Sequence, residues 1–231
     1  MEFPLVLNQF GVHRCTMRVA GDHFEADNTN YFTIRVEPPM RVLCIASRSG
    51  ASQVDKAYWF RSALAQHVTV PFQVDVIDPR QLVPEALPSY AVVALMQVET
   101  LAEQQINGLR SYVNGGGGLL LALDDRAEAA SFNRDYADLT PALLLRKQIF
   151  SESATVSITP EQSYHSIIRT LQDSGPVDFS AARFHGYWSV EPVAGSEVVL
   201  RFENGAAALV AGNAGNGRVL FFASSLDPEW N

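Results

Sequence analysis

The sequence predicts an α/β protein whose main domain holds a parallel β-sheet that is extended by antiparallel strands and preceded by a short β segment. Two observations carry this reading. Between residues 40 and 125, four apolar runs alternate with stretches of helical spacing, and each run is apolar at successive positions, as in strands covered on both faces. In the last quarter the pattern changes to alternating strands punctuated by glycine turns. The 231 residues, 47% hydrophobic and 18% charged, have a globular composition and fit one large domain, or one ordinary domain and a fragment.

In residues 1–36, Val12 to Val19 and Tyr31 to Val36 alternate and read as strands around the polar turn AGDHFEADNTN. These are too few for a β-sandwich of about seven strands, so they read as part of one. Such a half-sandwich would leave edges that invite pairing with another copy through the N-terminal strands. Glu37-Pro38-Pro39 breaks the pattern, which places a domain boundary between a β segment at 1–38 and an α/β domain at 39–231.

MRVLCIA from Met40 reads as a buried strand and SQVDKAYWFRSALAQ as the helix after it, with Val54, Ala57, Tyr58 and Leu64 at helical spacing. FQVDVID, SYAVVALMQ, LAEQQINGLRSYV and GGLLLALDD continue the alternation. Right-handed crossovers and short connections predict strand order 2-1-3-4 with MRVLCIA inside the sheet. RAEAASFNRDYADLTPALL reads as interrupted helix, and a short helix over Tyr164 to Gln172 would start near Pro160. GYWSVEPV, SEVVLRFENG, AAALVAGNAGNG and RVLFFASSLD then read as antiparallel strands, with Asn204-Gly205 and Asn216-Gly217 as hairpin turns.

A net charge of -8 opposes non-specific binding to nucleic acid or anionic lipid, and no lysine or arginine run offsets it. No apolar run approaches the ~18 residues of a membrane span, and no basic start with an apolar leader is present. Cys15 and Cys44 both lie in strand-like surroundings and read as separate thiols, with no further ligands nearby for a metal.

In this fold class ligands bind at the carboxyl ends of the strands. The candidate cleft there comprises Ser47, Arg48, Gln97, Asp124, Asp125 and His165. A thiol or serine enzyme needs its nucleophile on a tight strand-to-helix elbow, whereas LLLAL runs into Asp124-Asp125-Arg126. No nucleophile is therefore expected. The two aspartates could hold a divalent cation, yet aspartate before RAEAASF reads better as helix capping. Ser47, Arg48 and Ser49 could hold an anion at a helix start or form a solvated loop. Gly115 to Gly118 follows a helix and opens a strand, which fits a C-cap and not a phosphate cradle. Tyr187, Trp188 and Trp230 read as packing aromatics, and Asp22, Asp27 and Asn28 as a polar turn and not a calcium loop. No cofactor or resident metal is expected.

The segments DNTNYFTIRVEPPMRVLCIA, LRSYVNGGGGLLLALDD and RFENGAAALVAGNAGNGRVLFFASSLDPEW, with the histidine of SYHSIIRTL, resemble the C-terminal soluble region of bacterial BatA-like aerotolerance-regulator membrane proteins. The resemblance spans nearly the whole chain and implies an immunoglobulin-like fragment followed by a flavodoxin-like, class I glutamine-amidotransferase-like domain. It implies that the chain starts inside the immunoglobulin-like domain and stops before a membrane helix, in an extracytoplasmic, membrane-tethered module. It places His165 before the short helix, lining the cleft near Asp124. The expected role is a non-catalytic binding or scaffolding module that contacts protein partners or neighbouring domains. The alternative is a hydrolase or carbohydrate-acting enzyme using Asp124, Asp125 and His165, with a metal assisting.

Overall fold

The computed structural model describes residues 5–19, 28–47, 57–65, 71–96, 101–151, 154–161, 165–173, 175–226 and 230. The chain divides into two compact units, Met1–Pro39 and Met40–Asn231. The described part of the first unit is one antiparallel pair, β1 (Gly11–Arg18) and β2 (Thr29–Val36), in unbroken register from Gly11 opposite Val36 to Arg18 opposite Thr29.

The second unit is a mixed α/β domain. Its parallel strands are β3 (Met40–Ala46), β4 (Phe72–Ile77), β5 (Val92–Met96), β6 (Gly118–Ala122) and β12 (Gly217–Phe222). The order β4-β3-β5-β6 is the expected 2-1-3-4, with MRVLCIA paired on both sides. Beyond β6 the eight-stranded sheet continues β12-β11-β10-β8, with β11 (Ala207–Ala214), β10 (Glu197–Phe202) and β8 (Ile158–Pro160) antiparallel.

The end of the chain departs from expectation in five ways. RVLFF, as β12, lies parallel to β6, because its uniformly apolar run suits a strand buried at the sheet centre. GYWSVEP, as β9 (Gly186–Pro192), leaves the large sheet and pairs with β7 (Ala142–Ile149) in a separate ribbon. That strand takes in the ALL at the end of the segment read as helix, because Pro141 stops helical continuation and a bulge between Leu144 and Arg146 shifts the register. The short helix α4 (Ser166–Asp173) starts well after Pro160, which ends β8. The tight turn between β11 and β12 is Gly215-Asn216, one residue earlier than read, with Gly215 at φ +56°. Gly217 then opens β12 against the carbonyls of Val113 and Gly117, where a Cβ would collide with backbone.

Helices α2 (Glu103–Asn114) and α3 (Ala129–Asp135) carry Ile106, Leu109, Val113 and Phe132 into the larger core with Leu43, Val93, Leu121 and Phe221. Alternation places Cys44, Ala46, Ala94 and Met96 on the opposite face, against Ala57 and Phe60 of the α1 region (α1, Tyr58–Ala65). Cys44 is buried and Cys15 half-buried; neither is in a disulfide, and the Cys44 thiol donates to the Met96 sulfur at 3.2 Å. At the β3–β4 edge, Arg41 donates to Asp75 at 2.8 Å and Tyr90 donates to the same oxygen at 3.0 Å. Arg41 chiefly, and Tyr90 with it, hold the Asp75 carboxyl below the usual carboxylate range. That contribution is complete above the ordinary carboxylate pKa and is lost as pH falls through the lowered value.

Tyr136 is buried and stacks on Phe132 at 5.0 Å, but its hydroxyl meets no partner among the described residues, and burial raises its pKa. Tyr136→Phe keeps the ring and removes the unpaired donor. It should leave stability unchanged or raise it by up to about 1 kcal/mol in urea unfolding; a loss of that size would reveal a bond this structure lacks.

Candidate functional site

The carboxyl edge of the parallel sheet is where β3, β6 and β12 deliver Ser47, Asp124 and Ser224. Ser47 is half-buried directly after β3; Arg48, Ser49 and Gln97 lie outside the described residues, as do Asp22 and Asp27. Asp124 is 1% exposed, and both of its carboxylate oxygens are engaged by one neighbour. Oδ1 accepts the Arg126 backbone N–H at 3.0 Å, and Oδ2 accepts Arg126 Nε at 2.9 Å and Nη2 at 2.8 Å. The Asp124 carbonyl accepts the indole N–H of Trp188 at 2.9 Å, and the Ser224 hydroxyl donates to the Gly186 carbonyl at 2.7 Å. The β7–β9 ribbon is thus fastened over the ends of β6 and β12.

Asp124 does not cap α3. The residue before that helix is Glu128, whose side chain makes no cap bond, and residues 125–128 intervene as a turn. Asp125 points outward and is exposed, and its carbonyl accepts the Lys147 ammonium at 2.9 Å. Adjacent carboxylates have thus parted to opposite environments. Among the described residues no group of three histidine, cysteine or acidic side chains converges as a metal site.

His165 stands at the other end of the sheet. It lines a cavity of about 680 Å³ beside Gly118 and Arg218, near the starts of β6 and β12. Asp124 lies six residues past Gly118, roughly 20 Å along the strand direction. The cleft expected from Asp124, Asp125 and His165 therefore does not form. The Nδ1 of His165 accepts the Ile167 N–H at 3.2 Å, which leaves Nε2 facing Glu197 at 3.5 Å.

That cavity is a trough on the sheet face that carries α1. Val92, Leu120, Leu220 and Ala211 form its floor, and Leu64 of α1 and Ile167 of α4 stand on its sides. It could not be read from the sequence, because a half-covered strand in a parallel sheet is as apolar as a fully covered one. Tyr187, Trp188 and Trp230 are all buried, so they pack and offer no ligand platform. Gly115 and Gly116 close α2 by donating to Ser111 and Val113 carbonyls, a C-cap.

No protein-family model matches this chain, and no curated protein matches it in sequence. Solved structures do share its fold. A cytoplasmic protein from Salmonella typhimurium superposes with TM-score 0.60 at 17% identity, over 95% of this chain and 87% of its own. A second cytoplasmic protein from that organism gives 0.58 at 15% identity over the same shares. A ThuA-like protein from Bacteroides uniformis gives 0.60 at 12% identity, over 83% of this chain and 84% of its own. These likenesses define the class: an α/β protein with the amidotransferase-like, ThuA-like fold. The cytoplasmic neighbours overturn the extracytoplasmic, membrane-tethered placement drawn from the resemblance to membrane proteins. No helix among the described residues is long and apolar enough to cross a membrane.

Asp124→Ala removes the three bonds that Arg126 makes to its carboxylate, so it should cost about 2–3 kcal/mol in denaturant unfolding, against about 1 for Asp124→Asn, which keeps an acceptor. Equal, small losses for both would mean that Arg126 finds another partner. The trough should also enhance the fluorescence of an anilinonaphthalene sulfonate dye. Ala211→Trp, which fills the floor, should remove a distinct part of that signal; an unchanged signal would mean that the trough is closed in solution.

Proposed function

We propose that this chain is a non-catalytic binding or scaffolding module built on the amidotransferase-like fold. The observation that carries the reading is Asp124. At the end of β6, where a fold relative that cleaves amides or esters needs an exposed nucleophile on an elbow, this chain has a buried carboxylate whose oxygens are held by Arg126. The strand leads into a turn, and α3 begins only at Ala129, so no helix N-terminal amides meet residue 124 to cradle an oxyanion. The hydrolase reading asks for Asp124, Asp125 and His165 to converge, and each faces a different environment. The cytoplasmic neighbours support a cytoplasmic setting. The net charge of -8 favours protein partners or small ligands over nucleic acid.

The test offers the protein L-glutamine, p-nitrophenyl acetate and p-nitrophenyl β-galactoside, with and without magnesium, calcium, manganese or zinc. Release of ammonia or nitrophenol should not exceed that of buffer. A rate above buffer that Asp124→Asn abolishes while the circular dichroism spectrum is kept would overturn the reading.

A further inference from the structure

We infer that β2 is a dimerisation edge, pairing antiparallel with β2 of a second copy of this chain. The first unit gives the reason. Among the described residues the first unit is a two-stranded ribbon, an element that is marginal in water by itself, and it leaves apolar side chains in solvent: Val12 is 59% exposed, Met17 45%, Tyr31 76% and Phe32 42%. The two open edges of the ribbon differ. Val19 donates to the carbonyl of Asn28 at 2.9 Å, and these residues are opposite one another in the ladder. In an antiparallel pair such hydrogen-bonded positions alternate. The odd-numbered residues of β1 and the even-numbered residues of β2 therefore bond each other. The outward backbone groups are those of Val12, Arg14, Thr16 and Arg18 on β1, and of Thr29, Tyr31, Thr33 and Arg35 on β2.

The β1 edge is guarded. Arg14 and Arg18 both stand on it, and centring self-pairing on Arg14 or on Thr16 would oppose arginine to arginine. The β2 edge is less guarded: within the strand there is no lysine, no proline and no bulge, and its one arginine, Arg35, meets no second arginine when self-pairing is centred on Thr33. It is also self-complementary. With a two-fold axis through Thr33, Tyr31 falls opposite Arg35 of the other copy, Phe32 opposite Ile34, Asn30 opposite Val36 and Thr29 opposite Glu37. On one face Phe32 meets Ile34, with Asn30 beside Val36; on the other an aromatic ring meets a guanidinium, and no like charges face each other. The outward N–H and C=O groups of residues 31, 33 and 35 are in phase to form the new ladder. The product is a four-stranded antiparallel sheet, closed by symmetry so that it does not propagate through β2.

Sedimentation velocity on the full chain at micromolar concentration should show a dimer. Thr33→Pro removes an N–H that points away from β1, so the internal ladder survives, and it should weaken the dimer at least about tenfold. Because proline could perturb the ribbon itself, a second variant is needed. Thr33→Cys in a Cys15→Ser background places two thiols at the axis, ~5.5 Å apart between Cα atoms, within disulfide range. Oxidation should trap it as a covalent dimer on a non-reducing gel. A monomeric wild type overturns the inference. A dimer that Thr33→Pro leaves intact and Thr33→Cys fails to trap overturns it equally, since the copies would then meet elsewhere.

Discussion

The pairing of β12 with β6 is the interaction on which the main domain depends. It joins the parallel half of the sheet to the antiparallel half through five residue pairs, from Gly118 opposite Arg218 to Ala122 opposite Phe222. Without it β11, β10 and β8 would have no sheet to extend. The approach is close. Gly215 passes Asn114 at the turn, Asn216 donates to the Asn114 carbonyl at 3.2 Å, and Gly217 leaves no room for a side chain beside the end of α2. Glycine at these positions is therefore demanded by the backbone crossing, and the floor of the trough, with Leu120 opposite Leu220, is a product of the same register.

The carboxyl edge shows how a site can be structural in a fold known for ligands at that edge. Asp124 spends its oxygens on Arg126, its carbonyl is taken by Trp188, and Ser224 ties the end of β12 to β9. Each bond satisfies a buried polar group that would otherwise be costly. Together they fasten the β7–β9 ribbon over the strand ends. A catalytic elbow needs the opposite arrangement, with one reactive atom left facing solvent and a cluster of donors left unfilled.

Much of the parallel half was legible because two local signals agreed: apolar runs in MRVLCIA, VVALM and GLLLA, and helical spacing between them. The order of those strands followed from right-handed crossovers and short connections. The place of β12 was not legible, since a strand about a hundred residues from its neighbour pairs by long-range fit, and nothing local distinguishes parallel from antiparallel arrival. Strand β7 was missed for a related reason: ALLLRKQI has fair helix propensity, and only its partner β9 decides the matter. At the site, sequence reasoning found Asp124 as notable but gave its bonds to the wrong element. Arg126, two residues on, competes for the carboxylate more strongly than the amides of a helix that begins at Ala129. His165 was placed near Asp124 on resemblance, and the sheet sets the two at opposite ends.

The β6–β12 ladder also bears on how the chain comes to be folded. Its partners are separated by a hundred residues, so a ribosome releases β3, β4, β5 and β6 long before the strand that covers the flank of β6 exists. During that interval the unpaired side of GLLLA offers backbone groups and leucines to any extended segment nearby. High contact order slows closure further, because the loop entropy of the whole intervening region must be overcome before the last ladder rewards it. The nascent domain is thus a molecule with an open flank, and its vulnerability in the cell is greatest before residue 222 emerges.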